Sequence, residues 1–226
     1  MQFYRLEQPK VDSAEGRAGV TDSVKEEGNN VGDAVRCPTC NRPLSMLQWL
    51  PPYRVELESW GTHYADIVEI GNDLIVSERF MRDFVNNDLK GLPAFEPVTI
   101  VKVVHRRAKP AGQLPGYIKA PVIRSTTTID QKASGYIWED ESQVCQECLY
   151  GTLKRYRRLI VKADTWSGED VFFPRGGHGP IVSERFKSVF FQNDLRGAVF
   201  IPCESDEAGY DSFPRETNGN RNRELQ

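Results

Sequence analysis

Ile75-Val-Ser-Glu-Arg-Phe80 decides how this chain is read, because the same six residues return as Ile181-Val-Ser-Glu-Arg-Phe186, 106 positions later. The surroundings return too. Laying residues 55–91 over 161–197 without a gap gives 14 identities in 37 positions, among them Val55/Val161, Trp60/Trp166, Gly71/Gly177, Phe84/Phe190 and Gly91/Gly197. A long-period self-match of this kind marks an internal duplication, two similar supersecondary units sharing one core. Upstream of each copy stands a CxxC pair, Cys37/Cys40 and Cys145/Cys148, so each unit begins with half of a possible metal site.

Working outward, the repeated hexapeptide reads as the opening of a helix. Ser77 and Ser183 sit where an N-cap hydroxyl accepts from the first-turn N–H groups, and the glutamate after each suits the positive helix end. Phe80 with Phe84, and Phe186 with Phe190, are spaced i,i+4, which puts both rings on one inward face. Asn-Asp-Leu-Lys/Arg-Gly then stops each helix, with Gly91 and Gly197 available for positive φ and a cation before each to complement the carbonyl end. A folding role accounts for every position of the motif. The competing functional reading has Arg79 and Arg185 facing a common ligand across a pseudo-twofold axis.

Strands are expected at Phe3–Glu7, Tyr53–Trp60, Ala65–Ile70, Ala94–Val104, Tyr117–Arg124 and Tyr136–Trp138, and in the second copy at Arg158–Trp166, Val171–Phe173 and Ala198–Cys203. The expected fold class is α+β: two pseudo-repeated strand-strand-helix-strand units with a mainly antiparallel sheet, joined by a zinc-ribbon-like four-cysteine site. The expected organisation is one domain over 1–204, with repeat one at 37–104 and repeat two at 145–204. A mobile loop is expected over 9–34 and a disordered tail over 205–226.

Composition bounds the function. With 39% hydrophobic and 27% charged residues, mean hydropathy −0.51, net charge −3 and pI near 5.7, the 226-residue chain reads as soluble and globular. A dedicated nucleic-acid binder would carry a basic excess. Met1–Glu7 lacks a basic then apolar leader, and no apolar run is long enough to span a bilayer. A cytoplasmic protein with no membrane partner is therefore expected.

Cysteine usage sharpens the picture, since four of the five cysteines fall in CxxC pairs. Each CxxC turn can present two thiolates to one ion, and two such turns complete a tetrahedral set. Cys37, Cys40, Cys145 and Cys148 are the expected ligands of a structural zinc. Arg36, Arg42 and Lys154 stand near enough in sequence to offset its negative charge. Thiol–disulfide chemistry and plain buried cysteines are the competing readings. Cys203 reads as a small buried hydrophobe.

No catalytic spacing appears. His63, His105 and His178 lie in unrelated contexts, and only His178, within Gly176-Gly-His-Gly-Pro180, has a loop that could hold a ligand. Two basic clusters, His105–Lys109 and Lys154–Arg158, keep open an alternative function as a zinc-ribbon nucleic-acid-binding protein. No catalytic residue is expected.

The paired CxxC turns, the N-terminal Phe-Tyr-Arg-Leu strand and Ile-Val-Ser-Glu-Arg-Phe together resemble the double-CXXCG motif family of myxobacteria, to which swarming-inhibition immunity proteins belong. The hexapeptide region also looks like that of a wider group of immunity proteins found beside polymorphic toxins. The resemblance spans most of residues 1–204 and implies an immunity protein that binds a cognate protein toxin and occludes it stoichiometrically. The four cysteines transfer as a metal set. Asn41 and Leu149 stand where the motif has glycine. Acidic loops and the aromatics around Tyr64 and Trp138 are the expected contact surfaces.

Overall fold

The computed structural model describes residues 1–10, 22–26, 30–107, 109–206 and 208–209. In chain order the first half contains β1 (Phe3–Glu7), β2 (Asp22–Glu26), β3 (Arg54–Ser59), β4 (Ile67–Ile70), β5 (Asp73–Ser77), α1 (Glu78–Asn86), β6 (Glu96–Pro97) and β7 (Thr99–His105). It continues with β8 (Tyr117–Pro121), β9 (Arg124–Thr128), β10 (Ile137–Trp138), β11 (Leu153–Tyr156), β12 (Val171–Arg175), β13 (Ile181–Ser183), α2 (Glu184–Gln192), β14 (Val199–Pro202) and β15 (Ala208–Gly209).

The fold is α+β with mixed sheets. Antiparallel pairing dominates, but β3 runs parallel to β7 and β9 parallel to β12. Of the four sheets among the described residues, the two larger have the orders β4-β5-β8-β6 and β9-β12-β13-β1-β14, and the two smaller β2-β3-β7 and β10-β11-β15. In both larger sheets, a hairpin leads directly into a nine-residue helix. β1, from the start of the chain, lies against β13 as β8 lies against β5. Both helices press into a common core, where Phe80 meets Phe186 at 5.9 Å between ring centres and Phe84 meets Phe186 at 6.5 Å.

Several expected boundaries move, for physical reasons. Ile75-Val-Ser is the end of β5 and not the start of a helix: Ser77 is extended (φ −70, ψ 155), as an N-cap must be, and the residues before it continue that conformation. Arg158–Trp166 forms no strand. It makes one bridge, Val161 to Ile129, and then turns through Ala163–Thr165, where the Thr165 hydroxyl donates to Lys162 O. Ala94–Val104 splits at Val98, since β6 joins β8 and β7 joins β3. Of the expected mobile loop 9–34, residues 11–21 and 27–29 lie outside the described residues, and Asp22–Glu26 pairs with β3. The expected tail lies outside them at 207 and 210–226. Among the described residues no helix is long and apolar enough to cross a membrane.

Candidate metal centre

Each CxxC turn is built by the same backbone bonds. In the first, Asn41 N–H donates to Cys37 O (2.9 Å) and Cys37 N–H to Arg42 O (2.9 Å). In the second, Leu149 N–H donates to Cys145 O (2.8 Å) and Cys145 N–H to Tyr150 O (3.1 Å). Closing such a loop requires a left-handed residue after the second cysteine. Asn41 has φ 57 and Leu149 φ 61. Glycine takes this conformation freely and asparagine readily, whereas leucine takes it at a cost of about 1 kcal/mol. Both turns therefore keep the same geometry without glycine.

The turns bring four sulfurs together. Cys37 Sγ lies 3.9 Å from Cys145 Sγ and Cys40 Sγ 3.7 Å from Cys148 Sγ, and all four lie within 4.8 Å of one another. Zn–S bonds of about 2.3 Å in a tetrahedron require edges of about 3.8 Å. A disulfide needs sulfurs about 2 Å apart. The cluster is thus dimensioned to chelate an ion, and all five cysteines are free. Backbone dipoles favour the thiolates: the Cys40 N–H is the main cause that lowers Cys37 to about 7, and the Cys148 N–H is the main cause that holds Cys145 below the ordinary thiol value. Burial instead pushes the Cys148 thiol up to about 12.

Support comes from residues that sequence spacing does not reveal. Arg175, at the end of β12, donates to the carbonyls of Gln146 (3.1 Å) and Glu147, and so grips the second turn. Gln131 Nε2 bonds Leu149 O at 2.6 Å and Gly176 O at 3.2 Å, and Tyr150 Oη donates to Gly177 O at 2.6 Å. Arg36 Nη1 donates to Asn41 O at 2.9 Å on the first turn. Lys154 is exposed on β11.

The repeated arginines face no common ligand. Arg79 forms a forked contact with the buried Asp66 and donates to Asp194 O at 3.0 Å, beyond the other helix. Arg185 reaches Asp170 at 3.5 Å and donates to Asn87 O. Asp66 and Asp170 organise both ends of this arrangement. Asp66 accepts from the Ser77 hydroxyl (2.6 Å) and Arg196 N–H (2.9 Å), and Asp170 from the Ser183 hydroxyl (2.7 Å) and Lys90 N–H (2.9 Å). The turn after each helix is thereby tied to the hairpin that opens the other. These aspartates escape a gapless comparison because they stand 104 residues apart, against 106 for the hexapeptide. Allowing two extra residues in the second hairpin would have aligned them.

The remaining candidates separate. Cys203 is buried just after β14, and burial pushes its thiol up to about 12. His178 sits between Tyr136 and Tyr150, remote from His63 beside Thr62 and His105 beside Tyr64. In the basic stretches, Arg106 pairs with Glu58 and the Tyr156 ring is buried with its hydroxyl on Asp206, so it offers no base a stacking face. These contacts weaken the nucleic-acid alternative.

No curated protein matches the chain. The model of an immunity protein family (Imm11) matches residues 51–205, which takes in both hexapeptides, both helices and the second CxxC turn. That match covers more than half of the sequence, and the chain belongs to the Imm11 immunity protein family.

Proposed function

We propose that this protein binds a cognate bacterial toxin in the cytoplasm and neutralises it by stoichiometric occlusion. Members of its family are non-catalytic immunity proteins, and the family match over residues 51–205 is the observation that carries the reading. We read the chain as a single domain over 1–204 that arose by internal duplication. The resemblance to the double-CXXCG family is consistent with that origin.

Cys37, Cys40, Cys145 and Cys148 are proposed to hold a structural zinc. The chemistry of the donor set supports zinc, because four thiolates suit a tetrahedral soft-ligand ion and leave no position for a substrate. Bound there, zinc would supply a cross-link between residues 37–40 and 145–148. Arg36 and Arg175 hold the two turns in the geometry that receives it.

Growth rescue tests the function. The chain is co-expressed with the product of the gene immediately upstream, in a host which that product poisons. Rescue with a co-purifying 1:1 complex is expected. With an active toxin and soluble protein, absence of rescue would remove immunity towards that neighbour.

A further inference from the structure

Half of the large apolar side chains exposed among the described residues, Val31, Val35, Met46, Leu47 and Leu50, fall within one short segment. Met46 is 64% exposed and Leu47 58%. Water-exposed apolar groups gathered in one place mark a contact surface, whereas scattered ones do not. The segment is also held in shape. Gly32 N–H donates to Gln48 O (2.8 Å), Leu50 N–H to Asn30 O (2.8 Å) and Leu44 N–H to Val35 O (2.7 Å), with the first cysteine turn at its centre.

Between this segment and the strands β5, β8 and β9 runs a groove of about 360 Å³, walled by Met46, Leu50, Tyr53, Val122 and Arg124. A smaller cleft of about 160 Å³, walled by Cys37, Leu44, Tyr150 and Phe173, lies on the other side of Arg124, which lines both. The charges in the two recesses are unequal. Lys119 is matched by Glu96 at 3.2 Å and Asp73 at 3.6 Å. Arg175 is matched by Glu147 at 3.9 Å. Arg124 has no carboxylate within ion-pair distance among the described residues. Its guanidinium lies over the Phe173 ring at 5.4 Å, and its polar neighbours are uncharged: the Asn72 side-chain oxygen at 3.5 Å and the Tyr150 hydroxyl. Burial holds its pKa below the ordinary guanidinium value.

We infer that this face is where the toxin docks, and that Arg124 receives an aspartate or glutamate carried among apolar side chains on the toxin surface. The inference rests on the immunity reading above. A stacked guanidinium in an apolar recess binds a carboxylate through two parallel, charge-assisted bonds. Arginine and buried apolar anchors supply most of the energy at such interfaces. Charge complementarity then selects the partner, since a basic surface would place two uncompensated cations together.

Calorimetric titration of the full chain with the purified product of the adjacent upstream gene tests this. Arg124→Glu, Arg124→Gln and the pair Met46→Ser with Leu47→Ser are each expected to weaken binding about tenfold or more. Val85→Ser, 60% exposed on α1, is expected to leave it unchanged. All four variants are compared at thermal midpoints equal to the parent's, and Arg124→Gln stands in should Arg124→Glu fold poorly. Parent-like binding by every variant overturns the surface while the immunity reading stands. Parent-like binding by Arg124→Gln alone overturns the carboxylate. A free protein that sediments as a dimer, split by the Met46/Leu47 pair, makes the face a self-interface and overturns the proposal. No binding by the parent chain removes the immunity reading and the docking face together.

Discussion

Leu149 bears a cost that its counterpart Asn41 does not, since its φ of 61 is disfavoured for a branched aliphatic residue. The chain accommodates it by keeping residue 176 glycine: a Cβ there would meet Leu149 Cβ at 2.8 Å, and Gly176 itself has φ 73. Gly176→Ala is therefore expected to cost about 2–3 kcal/mol in urea unfolding. In a Leu149→Gly background the clash with Leu149 vanishes and only that with the Gln131 amide, at 2.9 Å, remains, so the two changes should couple by about 1 kcal/mol; strict additivity would show that the side chains do not contend. The buried aspartates are a second residue-scale case. Asp66→Ala strands the Ser77 hydroxyl and the Arg196 N–H, and Asp170→Ala does the same to Ser183 and Lys90. Each should cost about 3 kcal/mol, and a loss under 1 kcal/mol would argue that water replaces them. Neither aspartate was legible in the sequence, because a buried carboxylate is recognised by its partners, which lie far away along the chain. The clustering of the four cysteines was legible, because the two thiols of each turn are brought together by local spacing alone.

The helices followed from sequence almost to the residue, since their instructions are local. Ser77 Oγ accepts from Phe80 N–H and Ser183 Oγ from Phe186 N–H, both at 3.1 Å. Replacing either serine by alanine should cost about 1–2 kcal/mol, read from chemical denaturation. The first left-handed residue of each stop comes three positions before the expected glycine. Asp88 and Asp194 take the left-handed turn (φ 50 and 49), and Leu89 and Leu195 N–H close back on Phe84 and Phe190 O. Gly91 and Gly197 take positive φ as expected (115 and 97), and they also serve close approach: a Cβ at Gly91 would lie 1.8 Å from Val171 O, and one at Gly197 would lie 2.6 Å from Ile67 O. Strands were less legible than helices. Arg158–Trp166 carries the apolar run Leu159-Ile160-Val161 yet lacks a continuous neighbour to pair with, and pairing is a non-local matter. For the cysteine turns, Cys37→Ser with Cys145→Ser should abolish zinc in the purified protein and lower its thermal midpoint. Acidification should release the ion as protons compete for the thiolates. A metal-free parent chain with an unchanged midpoint in the double variant would dispose of the cross-link.

At the scale of the molecule, the two helix turns dock reciprocally. Lys90 O accepts from Asp170 and Val171 N–H, and Arg196 O accepts from Asp66 and Ile67 N–H. Neither half keeps its hairpin satisfied without the other. Gly91→Ala is accordingly expected to unfold both halves in one transition, seen as coincident loss of near- and far-ultraviolet circular dichroism; two separated transitions would mean that the halves are independent. The position of β1 has a consequence in time. Phe3 pairs with Ser183, and Glu7 with Val199, so β1 belongs to a sheet whose other strands are made much later. At about 5–20 residues per second, roughly 10–40 s of translation separate its emergence from that of its neighbours. The β4-β5-β8-β6 sheet, drawn wholly from residues 67–121, can assemble meanwhile. Residues 3–7 must wait unpaired on the nascent chain, and closure of the second sheet becomes a signal that synthesis has passed Pro202.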